Sequence, residues 1–164
     1  MEPAAVALCF LLRDTPDGAE VMLGVKKTGF GSGKVVGPGG HVEAGESDAE
    51  AACREIHEEA GVTVRPEDLA DAGVVQFVFP ARPEWNMSAR MFTARRWSGE
   101  PRESDEIAPA WFRVTALPVE RMWQDADHWL PVLLEGRRLN VVVTLDTDNE
   151  TVASSESVLP GHLG

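Results

Sequence analysis

Glu55, Glu58 and Glu59 follow one another at i, i+3 and i+4, and Arg54 is the only Lys or Arg between Ser47 and Ala60. On a helix these carboxylates crowd one arc, where each like-charged pair costs about 0.2–0.5 kcal/mol. A hard divalent cation turns that repulsion into coordination. Mg2+ takes carboxylate oxygens and keeps positions free for the phosphate oxygens of a substrate. A solvated acidic face would carry the same charges with no ligand at all. Helix geometry alone leaves that second reading ahead, and the segment just upstream bears on the choice. Gly37-Pro38-Gly39-Gly40 can bring bare backbone amides and carbonyls close to a ligand, because glycine has no side chain to intervene.

Holding those carboxylates together requires a helix, and residues 47–60 encode one. Ser47 and Glu50 form a Ser-x-x-Glu capping box, and Gly61 supplies the stop. Ala49, Ala52, Cys53, Ile56 and Ala60 share the arc expected to pack. Glu55, Glu58 and Glu59 share the next arc with Asp48 and Ala51, while His57, Glu50 and Arg54 take the remainder. Upstream, residues 4–12 read as a buried strand, Thr15-Pro16-Asp17-Gly18 as a turn and 20–25 as the returning strand. Lys26-Lys27 then opens the glycine-rich loop TGFGSGK. In it Phe30 either caps the core edge or stacks on a planar ligand, and Lys26 is either a solvated charge or a phosphate contact.

Downstream, strands are expected at 63–64, 72–79, 88–97 and 110–114, with the acidic loop Glu103-Ser104-Asp105-Glu106 before the last. Thr115 is expected to cap a short helix through Arg121. A second helix at 127–135 carries Pro131 in its first turn. A hairpin of 139–146 and 151–155 closes around Asp148-Asn149. Trp85, Trp97, Trp111 and Trp129 are assigned to packing. These elements make one mixed β-sheet with helices packed on it.

Composition sets the outer bounds. A chain of 164 residues, 43% hydrophobic and 26% charged, suits one domain with a proper core. The net charge of −12 and the lack of any Lys/Arg-rich block argue against a large nucleic acid as partner. No apolar run is long enough for a membrane span and the N-terminus lacks a signal peptide's basic start, so a cytoplasmic protein without a membrane partner is expected. Cys9 and Cys53 fit reduced core thiols.

Gly40, five residues, Glu46, seven residues, Arg54-Glu55-Ile56, one residue, Glu58-Glu59, one residue and Gly61-Val62 fill every specified position of the Nudix hydrolase signature. LGVKKTGFGSGKVVGPGGHVEAGE, ESDEIAPAWF and RMWQDADHWLPVLLEG further resemble the MutT-type 8-oxo-dGTP diphosphatases. The resemblance implies an α/β (α+β) fold, the Nudix αβα sandwich with a mixed β-sheet between helices, as a single domain over residues 1–164. It implies Mg2+-dependent hydrolysis, with Mn2+ as a substitute ion. The substrate would be an oxidised purine nucleoside triphosphate such as 8-oxo-dGTP, cut to the monophosphate and pyrophosphate in nucleotide-pool sanitation, by a monomer or dimer.

Carried over by position, Glu55 and Glu59 match direct metal ligands, Glu58 a carboxylate binding metal directly or through water, and the Gly39 carbonyl a fourth contributor. Glu106 matches a distant glutamate acting as ligand or base, so the general base is Glu58 or Glu106. Gly40, Glu46, Arg54 and Gly61 are structural positions of the box, with Glu46 and Arg54 joined as an ion pair. Phe30, Phe77, Met87, Trp123 and Asp125 match the nucleobase pocket, with Trp123 stacking and Asp125 bonding the Watson–Crick edge. Lys26 and Val36 complete the expected substrate contacts. This chain differs where resembling enzymes place hydrogen-bonding groups: Val36 stands for an asparagine, Ala126 for a second aspartate, and Ala7 for a threonine on the strand facing the base. Another nucleoside diphosphate derivative (ADP-ribose, a dinucleoside polyphosphate or a pyrimidine nucleotide) is the alternative substrate, and a silent nucleotide-binding module the non-enzymatic one.

Overall fold

β1 (Ala4–Thr15) turns through Pro16-Asp17 directly into β2 (Gly18–Lys26), pairing from Thr15 with Gly18 back to Leu12 with Val21. Pairing up to a two-residue turn is why both strands outrun the expected 4–12 and 20–25. The computed structural model describes residues 2–157; the last seven residues of the expected 1–164 domain, and Met1, lie outside them. Next come β3 (Val35–Val36), β4 (Gly39–His41), α1 (Asp48–Ala60), β5 (Leu69–Val78), β6 (Met87–Ala94) and β7 (Ile107–Arg113). α2 (Leu130–Leu134), β8 (Leu139–Leu145) and β9 (Val152–Ser157) follow, the last of them ending the described residues.

The strands run in the order β3-β2-β1-β6-β5-β8-β9, with β4 beside β1 and β7 beside β2. β1 pairs with β6, and β5 with β8, in parallel; the other ladders are antiparallel, so the sheet is mixed. Side chains alternate across it. Ala7, Cys9 and Leu11 point to one face, where they meet Ala52 and Ile56 of α1. Phe10 and Leu12 point to the other, with Trp129, Leu130 and Leu133. That alternation corrects one expectation. Ala7 faces α1, and its neighbours Val6 and Leu8 line the cavity described below.

α1 is capped as its sequence dictates. Ser47 Oγ accepts from the Glu50 amide at 3.1 Å, Glu50 Oε1 accepts from the Ser47 amide at 2.9 Å, and Gly61, with φ 74°, donates to the His57 carbonyl. Such an N-cap contributes about 0.5–2 kcal/mol. Its packed face is rotated from the expected one: Ala51 and Glu59 are buried with Ala52, Ile56 and Ala60, while Ala49 and Cys53 are only half-buried. The helix lies over β1 and over the two glycines of β4, which offer no side chains to hold it off. Cys9 is buried and both cysteines are free thiols.

Three other expectations change. Thr63 makes a single bridge to Ser98 rather than a strand at 63–64. The helix expected from Thr115 is reduced to a 3-10 turn at Val119–Arg121, because Pro118 disfavours helical backbone at Leu117 before it. The helix expected at 127–135 is α-helical only over Leu130–Leu134 and is preceded by a 3-10 turn at Gln124–His128. Pro131, with no N–H to donate, keeps to the first turn. Trp97 stacks on Trp111, and Trp85 meets Phe79 edge-on. Among the described residues, no helix is long and apolar enough to cross a membrane.

Candidate active site

β4 brings backbone against α1. Opposite β1, the Cys9 amide bonds the Pro38 carbonyl and the Val42 amide bonds the Ala5 carbonyl. Alternation along the antiparallel ladder therefore turns the amide and carbonyl of Gly39, opposite Leu8, away from β1. The Gly39 amide donates to Glu59 Oε1 at 2.8 Å. A Cβ on Gly40 would stand 2.6 Å from the Glu55 carboxyl carbon, so this position accepts only glycine without displacing Glu55. Glycines thus place Glu55 and Glu59.

Glu106 joins them from across the sheet. It precedes β7, whose pairing with β2 sets Ile107 beside Lys26. The Lys27 amide holds the Glu106 carbonyl, and the Lys27 side chain clasps Glu103 and the Ser104 carbonyl. Carboxylate oxygens of Glu55, Glu59 and Glu106 lie within 4.8 Å of one another. Glu58 is not among them. It is half-exposed, and both its oxygens lie 3.3 Å from Arg54 Nη1.

Arg54 is the brace of this corner. It bonds Glu46 through Nε at 2.8 Å and Nη2 at 3.1 Å, Glu55 at 2.9 Å and the His41 carbonyl at 3.0 Å. Those hydrogen bonds hold the Glu46 carboxyl below its usual range. Burial pushes Glu59 the other way, up to about 8, with Glu55 and Glu106 adding repulsion against the opposing Gly39 amide and Lys26. Burial also raises Glu55, with Glu58 and Glu106 contributing and Arg54 opposing. Three facing carboxylates, two held out of water, form an oxygen donor set that suits a hard divalent cation.

The corner opens into a cavity of about 420 Å³. Lys26, Phe30, Val36, Phe77, Met87, Trp123 and Asp125, the expected substrate contacts, all line it, as do Gly39, Glu59 and Glu106. Lys26 Nζ is bonded to the Phe30 carbonyl at 2.7 Å. Phe30, 67% exposed, neither enters the core nor stands alone: its ring stacks on Trp123 with centroids 5.2 Å apart and 19° between planes. Lys34 lies 4.5 Å from the Trp123 ring centroid.

Two contributions were not legible in the sequence. Trp129, assigned to packing, also lines the cavity and donates its indole N–H to Asp125 Oδ2 at 2.9 Å. Burial raises the Asp125 carboxyl despite that bond. The turn between β8 and β9 adds Asn149 and Glu150 to the wall. A spacing of four residues could have linked Trp129 to Asp125; nothing local points from the turn to the site.

The NUDIX domain family matches residues 2–133. The oxidized purine nucleoside triphosphate hydrolase of Danio rerio is 43% identical over 118 residues, 72% of this chain and 74% of that one. The Mus musculus protein of the same name is 39% identical over the same shares. Among solved structures, a MutT protein from Bacillus halodurans matches with a TM-score of 0.75 at 27% identity, covering 94% of this chain and 97% of its own.

Proposed function

The chain belongs to the Nudix hydrolase family, and from that premise we propose that it sanitises the nucleotide pool. It hydrolyses an oxidised purine nucleoside triphosphate of the 8-oxo-dGTP type to the monophosphate and pyrophosphate, with Mg2+. The observation that carries this reading is that one cavity joins the three-carboxylate corner to an aromatic chamber containing a half-buried carboxyl, Asp125. The names of the Danio rerio and Mus musculus relatives support the substrate class.

Glu55 and Glu59 would hold the ion, with the outward-facing Gly39 carbonyl beside them and the Glu106 carboxylate facing them. When bound, Mg2+ neutralises phosphate charge and lowers the pKa of a ligated water. Glu106, whose carboxylate makes no hydrogen bond among the described residues, is free to take the proton of the attacking water. Glu58 is committed to Arg54 and serves the brace. Lys26 stands at the junction of corner and chamber, where its charge meets phosphate. The base seats among Phe77, Met87 and Trp123, and the raised carboxyl of Asp125 keeps a proton to offer it at higher pH than an ordinary aspartate. A nucleotide, rather than a polymer, suits a chain of net charge −12. We read residues 1–164 as one domain.

Pyrophosphate release from a panel of nucleoside triphosphates with Mg2+ tests this. The expected result is a kcat/KM for 8-oxo-dGTP at least about tenfold above that for dGTP, a hydrogen-bonding difference of ordinary size. Equal values would remove the oxidised-base specificity. Release from no triphosphate would remove the reading altogether.

A further inference from the structure

Asn149 stands out in the turn that walls the cavity between β8 and β9. Its backbone is left-handed, with φ 59°, alone in this among the described non-glycine residues. Its side-chain oxygen is sealed from solvent and meets no hydrogen-bond donor among the described residues. Proteins seldom leave an enclosed acceptor unpaired unless a ligand or water serves it.

The turn does not need this carboxamide. Asp148 already caps the Glu150 and Thr151 amides at 2.9 and 2.8 Å, and the Asn149 amide bonds the Asp146 carbonyl. Left-handed backbone asks for no amide either, since glycine adopts it more freely. The turn is also held at the mouth of the chamber. Glu150 pairs with Lys34 at 3.6 Å, and Lys34 rests on Trp123.

We propose that Asn149 is a nucleobase-binding residue, its carboxamide accepting from a base N–H and donating to the acceptor beside it. The terminal torsion of asparagine is soft, so either end of the amide can be turned into the chamber. Purines present an N–H next to an acceptor, which a carboxamide meets with two bonds. Asn149 thus gives the chamber a second polar contact besides Asp125. The proposal rests on the cavity being a nucleotide site.

The test is Asn149→Gly, which keeps the left-handed turn and removes only the carboxamide. KM for 8-oxo-dGTP should rise about tenfold with kcat within about twofold, a loss of one ordinary hydrogen-bonding contact. The Kd of 8-oxo-dGMP, read by tryptophan fluorescence, should weaken equally, and that of the base-free 2-deoxyribose 5-phosphate should not move. Unchanged nucleotide KM and Kd would overturn the proposal, as would an equal loss for the base-free ligand. A parent protein that binds 8-oxo-dGMP but releases no pyrophosphate would sink the hydrolase reading, while the binding comparison still decides Asn149. A parent that binds no nucleotide would sink both.

Discussion

At the acidic end of the cavity, side chains are held by short polar bonds between neighbours. Gly39 holds Glu59, Arg54 holds Glu46 and Glu55, and the missing Cβ of Gly40 makes room for the Glu55 carboxyl. At the apolar end, the walls come from segments far apart in the chain, and the polar bonds are scattered, among them Trp129 with Asp125, Lys26 with the Phe30 carbonyl and Glu150 with Lys34. The two ends differ in what a substitution does. Removing one charge from a coupled cluster leaves its partners uncompensated in a poorly solvated place. Exchanging one apolar wall residue for another of similar volume costs less than about 1.5 kcal/mol. On the proposed reading the chemistry is therefore confined to a tightly bonded corner, and selectivity to a chamber that tolerates exchange.

The sharpest way to break that contrast is Glu59→Gln. Turnover should fall at least about 10²-fold with the fold unchanged, because on the proposed reading a buried carboxylate that would hold the ion is lost. Near-normal pyrophosphate release would mean that the corner is not the reaction centre. Next in size is the pair Glu106→Gln and Glu58→Gln. The first should lower kcat by about tenfold or more, as loss of a general base does, and the second by less than about fivefold. A reversed order would move the base to Glu58 and make its bond to Arg54 a resting arrangement.

The same corner should be visible in stability without any substrate. In metal-free protein Glu59 keeps its proton up to about pH 8, against an ordinary value of 4.5. The folded state therefore holds a proton that the unfolded chain releases between those pH values, so this group's contribution to stability is full below pH 4.5 and is lost as the pH rises toward 8. The slope from this group is at most about 1.4 kcal/mol per pH unit. Thermal midpoints of EDTA-treated protein at pH 5 and 8 should show the decline. Glu59→Gln should flatten it, and a decline unchanged by that substitution would place its source elsewhere. The smallest expected effect lies at the other end. Val36→Asn should lower KM for 8-oxo-dGTP by about threefold, since an apolar wall gains a hydrogen-bonding group. An unchanged KM would mean that Val36 does not face the base.

Local chemistry made much of this molecule readable from its residues. Ser47, Glu50 and Gly61 delimit α1 because capping and left-handed termination involve only residues a few positions apart. Thr15-Pro16-Asp17-Gly18 specifies the first hairpin for the same reason. Glu55 and Glu59 share an arc by helical periodicity alone, and Glu106 was reached only through resemblance. Tertiary structure decided the rest. Pairing of β7 with β2 carries Glu106 to the helix, and the roll of α1 over Gly39 and Gly40 buries Glu59 while leaving Glu58 on Arg54. The register of β1 sends Ala7 to the helix face, and the β8–β9 turn brings Asn149 to the chamber. Each of these depends on which distant backbones lie flush, and side-chain bulk across a packed interface is summed from both sides. No stretch of sequence taken alone contains that sum.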